Sequence, residues 1–234
     1  MSGGADVTES RRSKLRLVAP LLLLIASSAE AAPYEHDLQA WGLINVWARV
    51  DKLRFFGEVQ PRVSLTGAKF DRLLLRPAIG WQLTPETSLW IGYGWTPTFG
   101  PFRDEHRPFQ QLLVEHKFGV FSFVNRTRFE QRFIGGTNFP SFRLRHMVRG
   151  VLRFGPSSPW GLAAYEELFV NFNSVSSGPE GGFDQNRFFL GLNLKVDAMQ
   201  FELGYMNNFV ARPGLVVPDR VNHNLTFMFV YTVP

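Results

Sequence analysis

Between Phe121 and Phe133 the chain alternates with a period of two, and the two registers carry opposite chemistry. Phe121, Phe123, Phe129 and Phe133 share one face, and Arg126, Arg128, Glu130 and Arg132 share the other. Wound at 3.6 residues per turn, this segment would scatter arginine and phenylalanine around the whole circumference, so it is a strand whose faces meet different surroundings. Phe142 to Phe154 repeats the pattern, with Phe142, Leu144, Val148, Leu152 and Phe154 set against Arg143, Arg145, Arg149 and Arg153. In Arg72 to Trp81 the apolar face is Leu73, Leu75, Ile79 and Trp81, and the other is Arg72, Arg76, Ala78 and Gly80.

Eleven such segments follow one another, near 38–49, 53–64, 70–83, 87–98, 108–118, 120–133, 141–155, 160–173, 184–196, 199–210 and 221–233. Their connections alternate in length. Short turns fall near Asp51, Thr84-Pro85-Glu86, Gly119, Pro156-Ser157-Ser158 and Asp197; longer loops fall near Gly67, Gly100 to Arg107, Gly135 to Pro140, Ser174 to Gly182 and Ala211 to Arg220. That rhythm predicts an all-β, up-and-down antiparallel transmembrane β-barrel. Single-chain bacterial barrels carry an even number of strands, so the parity rule points to about 12, with 10 as the second choice. Pro61 and Pro77 fall inside strands and each removes a ladder hydrogen bond, which predicts bulges or strand ends there.

A soluble β-sandwich also alternates, but its polar face meets water and is commonly rich in lysine. Here the polar face is built from Arg, Gln and Glu, and the planar fork of arginine suits enclosed ion-pair networks. Aromatic residues also fall near both ends of many strands, as interfacial girdles require: Trp41, Trp47, Trp81, Trp90, Trp95, Phe118, Phe133, Trp160 and Phe172.

The N-terminal stretch belongs to export. Arg11, Arg12, Lys14 and Arg16 precede a short apolar run from Leu17 to Ala26, and Ala29-Glu30-Ala31 offers small residues for a signal peptidase. The run is about half of the roughly 20 residues a membrane helix needs. Residues 1–31 are therefore expected to be a cleaved signal peptide and 32–234 an outer-membrane barrel domain. The chain has no cysteine, so disulfides, thiolate metal sites and a lipidated cysteine are excluded. The net charge of +5 speaks for anionic partners, but an exported chain without a binding motif is not expected to meet nucleic acid.

The inward faces would gather Arg54, Glu58, Gln60, Arg62, Arg72, Arg76, Gln111, Glu115, Arg126, Arg128, Glu130, Arg132, Arg143, Arg145, Arg149, Arg153, Glu167, Gln185, Arg187, Lys195 and Glu202. Basic groups far outnumber acidic ones, and a narrow, low-dielectric lumen magnifies that excess. The candidate lumenal or binding residues are Arg62, Arg76, Glu115, Arg126, Arg128, Glu130, Arg132, Arg145, Arg149, Glu167, Arg187 and Glu202. Two readings stay open: an anion-attracting channel or binding pocket, and a plug of interdigitated charged side chains. Unpaired buried guanidinium is costly without water or anions, which keeps the first in play.

Catalysis by an outer-membrane lipid hydrolase or acyltransferase needs a hydroxyl nucleophile, a histidine and an orienting partner. The available groups are His106, His116, His146 and His223 with Ser122, Ser141 and Thr226, none in a recognised motif, so no catalytic residue is assigned. Asp104, Glu105 and His106 are consecutive and diverge in extended chain, so no metal or cofactor is expected. A third reading, after the solute barrel and a closed structural barrel acting through its extracellular loops, is a lipid-modifying enzyme.

Several segments resemble an uncharacterised bacterial family of outer-membrane-barrel type, domain-of-unknown-function family 2490. They include Glu58-Val59-Gln60-Pro61-Arg62, Leu74-Leu75-Arg76-Pro77, Gly92-Tyr93-Gly94-Trp95-Thr96-Pro97, Asp104-Glu105-His106-Arg107, Arg126-Thr127-Arg128-Phe129-Glu130-Gln131-Arg132, Glu166-Glu167-Leu168-Phe169-Val170-Asn171, Phe183-Asp184-Gln185-Asn186-Arg187, Gly204-Tyr205-Met206-Asn207 and Asn222-His223. The resemblance spans nearly the whole mature chain and implies a fold and a compartment, without an activity. The partners implied are outer-membrane lipid, the barrel-assembly machinery and a small anionic solute. The last strand alternates properly but ends on Pro234 instead of an aromatic residue, an imperfect match to an assembly signal.

Overall fold

The structure, a computed structural model, describes residues 34–100, 102–214 and 217–234; the expected signal peptide and its cleavage site lie outside the described residues. The described chain is all-β. Its strands are β1 (Glu35–Val50), β2 (Leu53–Ser64), β3 (Lys69–Gln82), β4 (Thr87–Trp95), β5 (Glu105–Phe118), β6 (Phe121–Ile134), β7 (Ser141–Arg153), β8 (Trp160–Asn171), β9 (Gly182–Val196), β10 (Met199–Val210) and β11 (Arg220–Thr232).

Each strand pairs antiparallel with the next, and β1 closes the barrel against β11. The closing pair is parallel, in one unbroken register from Glu35↔Arg220 to Trp47↔Thr232. The barrel therefore has eleven strands, the number of segments read from the alternation. The parity rule that pointed to 12 or 10 assumes an antiparallel closure; a parallel seam permits an odd count with no edge left open.

Short turns gather at one end, where the two-residue hairpins are made by residues in the left-handed region: Asp51 (φ 54°), Gly119 (φ 57°) and Asp197 (φ 50°). Glycine and aspartate tolerate that conformation, and positive φ matches the twist of paired strands. β5 begins at Glu105, inside the stretch expected to be loop, because Glu105, Arg107 and Phe109 continue its inward register. Beside Pro61 the β1–β2 pairing is interrupted between Trp41↔Arg62 and Ile44↔Val59, with a bulge at Arg62/Val63 on the other side. Beside Pro77 the β3–β4 pairing skips from Leu75↔Trp95 to Ala78↔Gly92.

The faces are inverted relative to a soluble protein. Exposed outer positions include Ile44, Val59, Ile79, Leu89, Ile91, Leu162, Leu190, Leu203 and Leu225, whereas the buried inner positions are rich in Arg, Glu, Asn and Gln. Exposed aromatic residues ring both rims, Trp81, Phe118, Phe154 and Trp160 at the short-turn end and Phe70, Phe102, Phe133 and Phe172 at the other. Trp41, Trp47 and Trp90 depart from the girdle expectation: all three point into the lumen, Trp41 and Trp90 buried there and Trp47 edge-on against Trp90. Trp41 packs with Ala163, Phe189 and Met206 in an apolar cluster inside the barrel. The Trp90 indole lies over Gly80, its direct partner across β3–β4, where any side chain would collide with the ring.

Candidate anion-binding site in the barrel lumen

Alternation places an arginine or glutamate at nearly every second residue along the middle of β6 and β7, and register sets carboxylates among them. Glu130 and Arg143 are cross-strand partners on β6 and β7, Arg128 lies opposite Arg145, and Met147 of β7 pairs with Glu167 of β8. Arg145 consequently lies between two carboxylates, donating to Glu130 at 2.7 Å and to Glu167 at 2.8 Å. Glu130 also accepts two bonds from Arg143, at 2.6 and 3.0 Å, and Glu167 accepts one from Arg126 at 2.6 Å. Arg187 approaches Glu167 at 3.7 Å. The guanidiniums of Arg145 and Arg187 also stack on the fully buried Phe169 ring, at 4.6 and 4.4 Å. Charges this deeply buried persist only with close, multiply hydrogen-bonded partners.

The network continues in both directions. Nearer the short-turn end, Glu202 accepts from Arg149, Asn193 and Gln200. Nearer the long-loop end, Glu105 is held by Arg107 and Arg132, each at 2.6 Å. Arg143 reaches on to Asp184 at 2.9 Å. On the opposite wall Glu58 pairs with Arg76 at 3.2 Å. Glu130, Glu167 and Glu202 are 1–3 % exposed, as expected where side chains and not a water column fill the middle of the barrel.

Among the described residues, Arg54 and Arg153 toward the short-turn rim, and Arg62 and Arg72 toward the long-loop end, stand outside this pairing. Arg62 and Arg72 face each other across the β2–β3 ladder. Arg62, 7 % exposed, donates to Gln60 at 3.1 Å and lies 3.7 Å over the Trp41 ring; no carboxylate is within ion-pair reach among the described residues. Arg72 has only Asp71, at 4.0 Å. Among the described residues, the buried charged atoms without a hydrogen-bond partner are all guanidinium nitrogens: Nε of Arg54, Arg62, Arg72, Arg126 and Arg220, and Nη1 of Arg128 and Arg132. No carboxylate oxygen is among them. Among charged groups the imbalance is one-signed; the buried oxygens of Asn45, Gln82, Asn171, Asn193, Asn222 and Asn224 also lack a partner, but they are neutral acceptors not hydrogen-bonded to these guanidiniums.

Two of the arginines that carry such atoms, Arg72 and Arg132, line a cavity of about 630 Å³ at the long-loop end. Arg72 and Arg132 form part of its wall with Arg103, Thr98 and Glu105, and the β8–β9 loop from Ser174 to Glu180 covers it. Arg103 fixes that cover, donating to the carbonyl oxygens of Gly135 at 3.0 Å and Ser177 at 2.7 Å.

Of the candidate residues read from sequence, Arg62, Arg76, Arg126, Arg128, Glu130, Arg132, Arg145, Arg149, Glu167, Arg187 and Glu202 all line the lumen, and the ion pairs link most of them. Glu115 does not join: it is exposed near the short-turn rim, and its carboxylate has no partner among the described residues. Glu105, Arg107 and Asp184 were missed as site residues. The first two sit in a charged run ahead of Pro108 that reads as loop, although their spacing of two already matched the inward register. The histidines and hydroxyls considered for catalysis fall on opposite sides of the wall. His106, His116, His146 and His223 point outward, whereas Ser122, Ser141 and Thr226 point inward.

Fold and lumen together define a closed β-barrel with a polar, ion-paired interior and an apolar exterior. The chain belongs to the family described as Protein of unknown function (DUF2490), which matches residues 38–217. It is also 34% identical over 206 residues to an uncharacterized protein of Methylorubrum extorquens, covering 84% of this chain and 89% of that one.

Proposed function

We propose that the protein is an outer-membrane β-barrel that binds a small anionic solute, a carboxylate or phosphate compound, in the arginine-lined cavity at its long-loop end. The observation that carries this reading is the one-signed deficit: buried guanidinium donors without acceptors beside a cavity, while every buried carboxylate is occupied. An anion bridging Arg72 and Arg132 would offset their uncompensated charge through the guanidinium nitrogens that face the cavity, and arginine forks suit the planar or tetrahedral geometry of such groups. The volume falls in the range of small-molecule sites. The apolar exterior, two aromatic rims and closed backbone pairing support the membrane as solvent for the outer face. The filled middle favours binding over passage.

The test is carried out on the barrel purified from outer membranes after heat-modifiable migration has been checked. Inorganic phosphate and a small tricarboxylate are titrated while thermal unfolding is followed. Saturable stabilisation is expected for the native chain and its loss for Arg72→Gln. Planar-bilayer recordings are expected to show no steady conductance. An open, anion-selective conductance without saturable binding would overturn the binding reading in favour of a channel.

A further inference from the structure

The outer face is apolar along the middle of most strands, and one band interrupts it across β5 to β9. Gln110 and Gln131 exchange amide hydrogen bonds, the Nε2 of each donating to the Oε1 of the other at 3.4 and 2.9 Å. Thr127 Oγ1 and His146 Nδ1 are 2.9 Å apart on β6 and β7. Asn186 Nδ2 donates to Glu166 Oε1 at 3.0 Å between β9 and β8. Thr127, His146 and Glu166 lie in mid-wall, while Gln131 is one outward step from Phe133 at the long-loop rim. Along β8, Glu166 has Leu162 and Ala164 on one side and Leu168 and Val170 on the other; along β7, His146 lies between Leu144 and Val148. Glu166 and His146 are both exposed. On the far wall the mid-height outward positions are Ile44, Val59, Ile79, Leu225 and Phe227, and the polar outward groups there, His36, His223 and Tyr205, meet toward the long-loop end.

If this face meets acyl chains, as the outer-membrane reading holds, a carboxylate and an imidazole in mid-wall are costly unless something polar covers them. We infer that a second copy of this chain covers them, docked side by side about a two-fold axis parallel to the barrel axis and passing between β7 and β8. Such an axis preserves height and exchanges left for right, so each residue meets what lies mirrored across the axis. Glu166 on β8 then faces His146 of the second copy on β7, and the Thr127–Gln131 side of β6 faces Asn186 on β9. Charged acceptor meets ring donor, and amide meets amide or hydroxyl. Because Val148 and Glu166 are cross-strand partners, His146 and Glu166 stand only two residues apart in register, within reach of one facing contact. The band is complementary to itself under that operation, which an unrelated transmembrane partner has no cause to match.

The chain has no cysteine, so single cysteines report neighbours directly. Leu168→Cys lies on the band and Ile44→Cys lies four strands away around the barrel. Both are oxidised in intact outer membranes containing the full chain. A disulfide-linked homodimer is expected from Leu168→Cys and not from Ile44→Cys. Adding His146→Leu and Glu166→Leu to Leu168→Cys is expected to cut its yield roughly tenfold, equivalent to about 1.4 kcal/mol of association. Adding Glu166→Gln instead should leave most of the dimer, since the hydrogen-bonding amide remains. Heat-modifiable migration of each variant shows that the barrel still folds. Equal yields from both cysteines, no dimer from either, an adduct to a different protein, or a yield indifferent to the leucine substitutions would each overturn the inference. A soluble, non-membrane chain would instead remove the outer-membrane reading beneath it.

Discussion

Arg62 and Arg72 face each other across β2 and β3, two like charges in one ladder position, with Trp41 against the first and only Asp71, at 4.0 Å, beside the second. Opposed like charges destabilise a sheet. The pairing is tolerated because the Trp41 face spreads the Arg62 charge and the cavity opens at Arg72. Neutralising one member should relieve the other. Arg62→Gln is expected to leave the barrel at least as stable as the native chain in phosphate-free buffer, yet less responsive to added phosphate. Urea unfolding with and without phosphate checks both halves.

Glu130 makes the opposite case. It is 1 % exposed and accepts from Arg143 and Arg145, so removing it takes one of two carboxylates from each of two buried cations at once, leaving Arg143 with Asp184 and Arg145 with Glu167. Glu130→Ala is expected to cost roughly 3–5 kcal/mol. The midpoint of urea unfolding, followed by tryptophan fluorescence in detergent micelles, measures it.

Glu35 ties β1 to Arg220 of β11 and to Arg212, but its side chain is 42% exposed. Screening by solvent limits such a pair to about 1 kcal/mol. Glu35→Gln should therefore shift the same unfolding midpoint far less than Glu130→Ala. A comparable loss from both would show that the seam, not the lumen, limits stability.

Glu105 is one of two carboxylates in the cavity wall, with Glu180 of the covering loop, and it competes with any incoming anion for Arg132. Glu105→Gln is expected to lower the phosphate concentration at half-saturation several-fold, even though the unliganded barrel becomes less stable. Thermal-shift titration separates the two effects.

Glycine is required where lumenal rings cross the wall. At Gly92 a methyl group would run into Phe109, whereas at Gly57 nothing lies within 4 Å of the site of such a methyl. Gly92→Ala is expected to cost roughly 1–3 kcal/mol through overpacking. Gly57→Ala should lie within about 0.5 kcal/mol of the native chain.

The alternation of arginine with phenylalanine in β6 and β7 was enough to assign strands and faces, because a period of two leaves each side chain only one of two directions. Strand number was legible as a count of segments, and eleven strands that reverse at every turn leave β1 and β11 running the same way. That the two pair was not legible, because they lie almost two hundred residues apart and no local signal records their contact. Trp41 and Trp90 were misjudged for a related reason. A tryptophan near a strand end suits an interfacial belt equally well from its residue type, and only the register shows that both point inward beside Arg62 and Gly80. The ion-pair partners themselves were beyond reach, since Arg145 could choose among several inward carboxylates until β6, β7 and β8 were aligned.

The parallel seam fixes where the ends of the strand series emerge. Because β1 and β11 run in the same direction, the residue preceding β1 and the residue following β11 leave from opposite rims, a full strand length of ~40 Å apart at about 3.3 Å per residue. No short linker can join them, so circular permutation, routine for barrels whose ends share a rim, is closed to this one. Epitopes placed just ahead of Glu35 and just after Thr232 would be reached by antibodies from opposite sides of the wall.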